Sequence, residues 1–331
     1  MRLPLLAVLL LLGGCTSAQP AQPPLVAAAL ERLVAEAAAT QSTAIVVRQG
    51  GREAVRRWFD ERPRLVGTQS VTKSVAALAV GRLLTIGALD SLDVPMHRFF
   101  PTWAHDGRSA ITLRHVLTHS SGLGPPEVRY PSAVATALAA PLVAAPGTSF
   151  RYDGVTVQLV AEVVRQLAGK PLDRFVGDEL FAPLGITRWH WRTDAVGLPD
   201  VSGGLALAAE DLATVGQLLL DGGTWQGKQL LSAAFLAELQ RPSQAQPRYG
   251  LLWWLEPDGI RANGWQGQHL LVLPAKKLVV VRLREPRDLH SQEENERFGF
   301  HEALAPLARA LVPARLDGTA GASGAGRSPG R

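Results

Sequence analysis

Residues 67–78 read GTQSVTKSVAAL, a stretch in which polar, turn-compatible residues run into an Ala/Leu-rich segment that predicts a helix. Ser70 stands where this helix is expected to begin, and Lys73 follows one turn later. Residues three apart share a helix face with Cβ atoms about 5–6 Å apart, so the Lys73 amine can reach the Ser70 hydroxyl. The spacing favours a nucleophile with its base, but an N-cap serine followed by a solvated lysine gives the same pattern.

The chemistry of such a pair depends on the protonation of Lys73. A serine hydroxyl is a poor nucleophile until a neighbouring base takes its proton. An unperturbed lysine, with a pKa of about 10.4, is charged at neutral pH, whereas burial and the positive end of a helix both lower that pKa. The free N–H groups at the same helix end, that of Ser70 among them, can stabilise an oxyanion.

The composition predicts a folded protein with a sizeable core. Hydrophobic residues make up 47% of the 331 residues and charged residues 19%. The formal net charge is +5, but the basic residues are scattered and form no run interleaved with aromatic residues. Nucleic acid is therefore not predicted as a partner.

The N-terminus indicates export. Residues 1–14 combine a charged start with a short apolar core, which is typical of a signal peptide. The following Cys15 completes LGGC, which resembles a bacterial lipobox, and residues 15–24 continue as a Pro-rich tether. The sequence thus predicts a lipid anchor on Cys15 and a location on the periplasmic side of the bacterial envelope. An ordinary secretory signal cleaved nearby is the alternative, and the tail at 313–331 is predicted to be disordered.

Strand patterns near both ends enclose a mostly helical middle. The fold class expected from this order is α+β, one antiparallel sheet flanked by helices, with a helical subdomain inserted at about 88–245 and a catalytic domain spanning 25–312. Strands are predicted at 43–48, 53–59, 249–255, 265–273 and 278–283. Helices are predicted at 25–40, 111–119, 155–167, 171–180, 209–220, 232–240 and 301–311.

Two further stretches carry candidate site residues. Tyr152 follows a Pro-Gly turn and can relay protons if a cation such as Lys73 lowers its pKa, or it is a tyrosine at the edge of the core. Residues 263–268 read NGWQGQ and lead into a strand. There Gly267 is expected to let substrate approach the strand edge, with the Gln268 N–H as a second oxyanion donor. The alternative for Gly267 is a bulge at the entry of a strand.

Taken together, these three stretches and their flanking text resemble the serine β-lactamase-related family over roughly residues 25–312. That family contains class C β-lactamases, D-alanyl-D-alanine carboxypeptidases and family VIII esterases. The resemblance implies a β-lactamase/transpeptidase-like fold. It also implies Ser70 as nucleophile, Lys73 as general base, Tyr152 as proton relay, and Gln268 with Ser70 as the oxyanion pair.

Two departures from the family's pattern bear on substrate. Gly154 stands where the second motif commonly has Asn, so the amide that would hold an acyl-side carbonyl is missing. Trp265-Gln266-Gly267 stands in the third motif and is similar to the Trp-x-Gly of the esterases. The predicted function is therefore an exported serine hydrolase of the esterase type, which cleaves a small ester or amide through an acyl-enzyme. A D-alanyl-D-alanine carboxypeptidase, a β-lactamase and a non-catalytic envelope lipoprotein are the alternatives.

No metal or cofactor is predicted. His115 and His119 lie four apart on a predicted helix, but no Glu stands beside them and no third ligand is evident. Both histidines are therefore interpreted as structural.

Overall fold

A computed structural model describes residues 25–60, 62–285 and 287–312. The predicted signal peptide, Cys15, the tether and the tail at 313–331 lie outside these residues. Within them, no helix is long and apolar enough to cross a membrane.

The described chain is a mixed structure of short strands and helices. The strands are β1 Ala44–Gln49, β2 Arg52–Trp58, β3 Val66–Gly67, β4 His190–Trp191, β5 Leu205–Leu207, β6 Thr224–Trp225, β7 Lys228–Gln229, β8 Trp254–Glu256, β9 Gly259–Gly264, β10 Gln268–Leu273 and β11 Leu278–Leu283. The helices are α1 Ala27–Ala39, α2 Val71–Thr85, α3 Leu113–Leu117, α4 Ala133–Leu138, α5 Leu159–Ala168, α6 Leu172–Val176, α7 Ala209–Leu220, α8 Ala233–Leu239, α9 Gln292–Phe298 and α10 Leu304–Leu311.

Six strands form one antiparallel sheet in the order β2-β1-β11-β10-β9-β8. The β1–β2 hairpin turns through Gly50 and Gly51, whose φ angles of 55° and 80° suit glycine. Strand β1 also pairs with β11, with Val46 opposite Val281. The sheet therefore joins segments from opposite ends of the chain, and the expected α+β architecture with an antiparallel sheet is confirmed.

Helices cover both faces of the sheet, which explains why β10 and β11 are buried along their whole length. On one face, Ile45, Leu271 and Val280 pack with α1 and α10. On the other, Val46, Leu270 and Val279 pack with α2 and α7. A Cβ on Gly216 of α7 would lie 2.6 Å from Val279, so glycine lets this helix lie close to the sheet.

Several elements differ from those predicted. The strand expected at 249–255 is limited to β8, because Leu252 has a φ of 58° and its N–H bonds to Leu117 and Gly250. Strand β9 occupies residues that were expected to be a connection, and helices α4 and α9 were not predicted. The helix expected at 171–180 is α6 followed by one π-helical turn, Gly177–Phe181. The last helix begins at Leu304 rather than near His301. The boundaries 25–312 and 88–245 stay predictions.

Candidate active site

Ser70 immediately precedes the first residue of α2. The preceding residue, Gln69, has a φ of 50°, a left-handed conformation that is unfavourable for a side-chain-bearing residue. Strand β5 holds this turn: the Thr68 hydroxyl donates to the Leu205 carbonyl at 2.9 Å, and the Leu205 N–H donates to the Thr72 hydroxyl at 3.1 Å. Ser70 is therefore presented on a sharp, anchored turn between β3 and α2.

Lys73 lies one turn further on, with its amine at the Ser70 hydroxyl. The distance from Lys73 Nζ to Ser70 Oγ is 2.9 Å, and Lys73 is only 3% exposed. Burial lowers the pKa of the Lys73 amine to about 8, although Asp200 and Asp153 act in the opposite direction. A substantial fraction of this amine is therefore neutral near pH 8 and can accept a proton.

The backbone of Ser202 completes the surroundings of the pair. Its carbonyl accepts a hydrogen bond from Lys73 Nζ at 2.7 Å and lies 3.5 Å from Ser70 Oγ. The loop carrying it is held by Asp200, which accepts from the Ser202 N–H at 2.8 Å and from its hydroxyl at 2.6 Å. Ser202 was not predicted as a site residue, since any residue type can supply a carbonyl. The only sequence signal was the turn-forming run Ser202-Gly203-Gly204.

Tyr152 lies beside the same pair, with the Lys73 amine 5.1 Å from the centroid of its ring. The lowered pKa on which the proton relay was conditional is not found. Desolvation raises the pKa of the Tyr152 phenol although the residue is 41% exposed, and the hydrogen bond with Ser70 offsets this only in part. Tyr152 is therefore protonated at neutral pH, so it can donate a hydrogen bond but cannot act as a phenolate base.

The ring of His119 packs against the ring of Tyr152. The two ring centroids are 4.7 Å apart, and the His119 carbonyl accepts from the Arg151 N–H at 2.8 Å. The imidazole is 3% exposed, and neither ring nitrogen has a hydrogen-bond partner among the described residues. Burial lowers the pKa of His119 to about 3, so the ring is neutral. Its role beside Tyr152 was not foreseen, because the sequence shows the histidine only as part of a helix end.

The Ser70 N–H forms no hydrogen bond with the backbone of the described chain, as expected for the residue before a helix. The second oxyanion donor predicted at Gln268 does not fit the sheet. Gln268 belongs to β10, an interior strand flanked by β9 and β11, so it does not lie on an open edge. Its buried side chain donates to the Arg284 carbonyl at 2.6 Å and accepts from the Arg284 N–H at 2.9 Å.

Gly267 and Trp265 also contact other parts of the protein instead of lying at a strand edge open to substrate. Gly267 lies in the turn between β9 and β10 with a φ of 95°, and a Cβ there would be 1.6 Å from Arg282 Nη1. The Trp265 indole N–H donates to the Leu289 carbonyl at 2.7 Å. The glycine next to the Ser70 turn is instead Gly264, where a Cβ would lie 2.4 Å from the Thr68 carbonyl oxygen. The end of β9, which β8 does not cover, therefore lies against the turn that carries Ser70.

Gly154 borders a cavity of about 470 Å³ that Ser202 also lines. A Cβ at Gly154 would lie 3.0 Å from the Ser202 Cβ, so these two loop segments approach closely and leave little room for a side chain. Gly154 therefore supplies no side-chain amide at the position where the family commonly has Asn.

No group of three or more His, Cys, Asp or Glu residues suited to a metal occurs in the described parts of the chain. His115 accepts a hydrogen bond from the Thr112 N–H through Nδ1 at 3.2 Å, which completes a capping box at the start of α3. His119, four residues further on, packs against Tyr152 instead.

A family model described as Beta-lactamase matches residues 30–295. The chain belongs to the beta-lactamase family. This membership shows the β-lactamase/transpeptidase-like fold and places the protein among serine hydrolases that include esterases, amidases and carboxypeptidases.

Three similar proteins illustrate that range. A provisionally named D-alanyl-D-alanine carboxypeptidase of Escherichia coli O157:H7 is 24% identical over 61% of this chain and 63% of its own length. Esterase EstB of Burkholderia gladioli is 32% identical over 35% of this chain and 36% of its own. The crystal structure of a family VIII carboxylesterase superposes with a TM-score of 0.69 at 18% identity, covering 88% of this beta-lactamase-family chain and 98% of the other. The matches span less than two thirds of the length of both sequence relatives.

Proposed function

We propose that this beta-lactamase-family protein is an esterase that works through an acyl-enzyme on Ser70. The observation that carries the proposal is the buried contact of 2.9 Å between the Ser70 hydroxyl and an amine whose pKa is about 8. This arrangement supplies what a serine nucleophile requires, namely a base that is partly neutral near the working pH.

The proposed steps use groups that lie around Ser70. Its Oγ attacks the ester carbonyl carbon while Lys73 Nζ takes the hydroxyl proton, and the Ser70 N–H stabilises the oxyanion. The leaving alkoxide receives a proton from the Tyr152 hydroxyl, which Lys73 then reprotonates. In the second half of the reaction, a water molecule attacks the acyl carbonyl carbon and gives a proton to Lys73 Nζ. The bond from this carbon to Ser70 Oγ then breaks, Ser70 Oγ takes the proton back, and the carboxylic acid product leaves.

Esters are favoured as substrates because groups suited to a substrate carboxylate are already engaged. Arg261 forms an ion pair with Glu256 and donates to the His301 carbonyl at 2.6 Å. The Trp265 N–H is bonded to the Leu289 carbonyl, and Arg151 uses one of its donors for the Leu123 carbonyl at 3.3 Å. Penicillins and D-alanyl peptides carry a carboxylate next to the reacting centre, so they are disfavoured where Arg261 and the Trp265 N–H are already bonded within the protein.

A D-alanyl-D-alanine carboxypeptidase is the second candidate, and the name of the Escherichia coli relative favours it. This function needs the same nucleophile and base, so the two candidates differ only in which substrate reaches Ser70.

Covalent labelling tests the acyl-enzyme directly. A fluorophosphonate probe is expected to label the wild-type protein and to leave Ser70→Ala unlabelled. Ser74→Ala is the matched control, since Ser74 lies on the same helix but donates to the Leu252 carbonyl at 2.6 Å. An unlabelled wild-type protein, shown to be folded by circular dichroism, would favour a non-catalytic binding role for the fold.

Turnover distinguishes the candidate substrates. We expect kcat/KM for p-nitrophenyl butyrate to exceed that for a chromogenic cephalosporin and for a D-Ala-D-Ala peptide on one preparation. Ser70→Ala, Lys73→Ala and the double variant are expected to lose similar activity, because both residues serve one step. A cephalosporin or peptide turned over faster than the ester would overturn the esterase assignment.

A further inference from the structure

The cavity beside the reacting pair contains both acidic and basic side chains. Asp194, Asp200, Arg129 and Arg192 all line it, together with Ser202. Ser202 links the cavity to the reacting pair, because it lines the cavity while its carbonyl accepts from Lys73 Nζ at 2.7 Å. Ser70 and Lys73 do not line the cavity themselves, so a substrate bound at Ser70 would extend past Ser202 to reach it.

The two carboxylates of the cavity are occupied by the protein itself. Asp200 accepts hydrogen bonds from Gln158 Nε2, from the N–H and hydroxyl of Ser202, and from Arg192. Asp194 accepts from the N–H groups of Ala133, Val196 and Leu198. These bonds use the carboxylate oxygens to hold loops in place, so little acceptor capacity remains for a ligand.

The two guanidinium groups, in contrast, keep free donors. Arg129 is exposed and forms no ion pair or hydrogen bond with any residue that the structure describes. Arg192 uses Nη2 for Asp200, while its Nε and Nη1 groups have no partner in the described chain. An arginine presents donors in a planar fork that matches a carboxylate. The unused hydrogen-bonding capacity of the cavity is therefore cationic.

We propose that this cavity binds an anionic group of the substrate, so that the preferred ester carries a carboxylate away from the reacting carbonyl. The inference rests on the proposed esterase function and names its substrate class. Arg129 supplies the free cation, and Arg192 adds a second one held in position by Asp200. Gly154 borders the same cavity and adds no side chain to it.

Two p-nitrophenyl esters with the same leaving group test the proposal: the neutral butyrate and the mono-ester of glutarate, whose acyl chain ends in a carboxylate. Wild-type protein is expected to show a kcat/KM for the glutarate ester about five-fold above that for the butyrate ester, the size that an exposed ion pair contributes. Arg129→Gln is expected to remove most of this preference, and high salt is expected to weaken it.

Matched variants make the assignment specific. Arg129→Glu is expected to reverse the preference towards the ester of a cationic acyl group, 4-aminobutyrate. Arg174→Gln is the control, since Arg174 is exposed, lies on α6 and does not line the cavity. A glutarate ester that is no better than butyrate in wild-type protein, or a preference that survives in Arg129→Gln with Arg192→Gln, would overturn the proposal.

A binding measurement separates this inference from the proposed function. Glutarate itself is expected to raise the Tm of Ser70→Ala protein, and to do so less in the combination with Arg129→Gln. If the wild-type protein hydrolyses no ester and takes no fluorophosphonate label, the function is refuted, while Arg129-dependent stabilisation by glutarate still supports the anion site. Without that stabilisation, the anion site is refuted as well.

Discussion

Lys73 is a buried amine, and its ionisation sets the pH range in which it can serve as a base. Its pKa is lowered to about 8 by burial. Since only the neutral amine accepts the Ser70 proton, kcat/KM for a neutral ester is expected to rise with pH and to level off above about pH 8. The measurement is a pH profile with p-nitrophenyl butyrate. A profile that is flat through this range would show that another group is the base.

The burial that suits Lys73 to catalysis also destabilises the fold. The pKa is about 8 in the folded protein against 10.5 for a free lysine, so the unfolded chain binds more protons between these values. Stability therefore rises as pH increases from about 8 to about 10.5, and the full penalty, about 3 kcal/mol, applies below pH 8.

Lys73→Met removes the cost of burying a charged amine. It also removes the hydrogen bonds from Lys73 Nζ to Ser70 Oγ and to the Ser202 carbonyl, worth about 1 kcal/mol each. The inactive variant is thus expected to be about 1 kcal/mol more stable than wild type at pH 7, and less stable above about pH 10.5. Urea unfolding of both proteins at the two pH values checks the change of sign. If the free energies of unfolding of the two proteins differed by the same amount at both pH values, the lowered pKa of Lys73 would be contradicted.

The hydroxyl of Tyr152 can be removed without changing the packing of its ring. Its ring stacks with Trp254 at a centroid distance of 6.2 Å and contacts His119, and Tyr152→Phe keeps both contacts. We expect Tyr152→Phe to lower kcat by about 10²-fold or more while the Tm stays close to that of wild type. Turnover equal to that of the wild-type protein would remove Tyr152 from the proposed mechanism.

The residues of the site differ in how well the sequence predicts them. Ser70 and Lys73 act through side chains at a helical spacing, and that spacing is visible in the sequence. Ser202 acts through its carbonyl, which leaves no residue-type signal. Two glycines stand three apart, and the sequence could not show that Gly264, rather than Gly267, adjoins the nucleophile.

Among the connections between elements, the turn from β9 to β10 is the most tightly packed around a single glycine. Gly267 has a φ of 95°, and a Cβ there would meet Arg282 Nη1 at 1.6 Å. The Arg282 guanidinium also donates to the carbonyls of Thr40 and Gly267, so it has little freedom to move away. Gly169, at the end of α5, has a φ of 69° but nothing within 4 Å.

These two glycines form a matched pair. Gly169→Ala is expected to lower the free energy of unfolding by about 1 kcal/mol, the cost of a left-handed alanine. Gly267→Ala is expected to lower it by about 3 kcal/mol or more, because a steric clash is added. Chemical unfolding of the two variants measures the difference. Similar losses would indicate that Arg282 can give way at little cost.

Elements with a clear apolar pattern were predictable, and the others were not. Strands β10 and β11 and helix α7 are apolar enough to be read from the sequence. Helix α9, QEENERF, has no apolar face, and it is defined instead by Ser291 as its N-cap, which accepts from the Glu294 N–H at 3.0 Å. Strand β9, GIRANG, has one large apolar residue, Ile260, and a glycine at each end, so its apolar signal is weak in the sequence.

For the molecule as a whole, we propose that Cys15 carries a lipid that anchors the protein to the bacterial envelope. The support is the LGGC sequence after a short apolar core. Mass spectrometry of the native protein is expected to find a lipid on Cys15, and Cys15→Ala is expected to move the protein to the soluble fraction. Native protein that carries no lipid would contradict this prediction.

The pairing of β1 with β11 also constrains biosynthesis. Val46 and Val281 lie opposite each other in the sheet, yet 235 residues separate them along the chain. During translation the β1–β2 hairpin emerges early, but the strand that pairs with the other edge of β1 is made last. Contacts this distant close slowly, because the long loop loses entropy before the pairing is formed. A nascent chain that stops before Leu278 is therefore expected to leave that edge of β1 unpaired and to aggregate through it, even if its helices have formed.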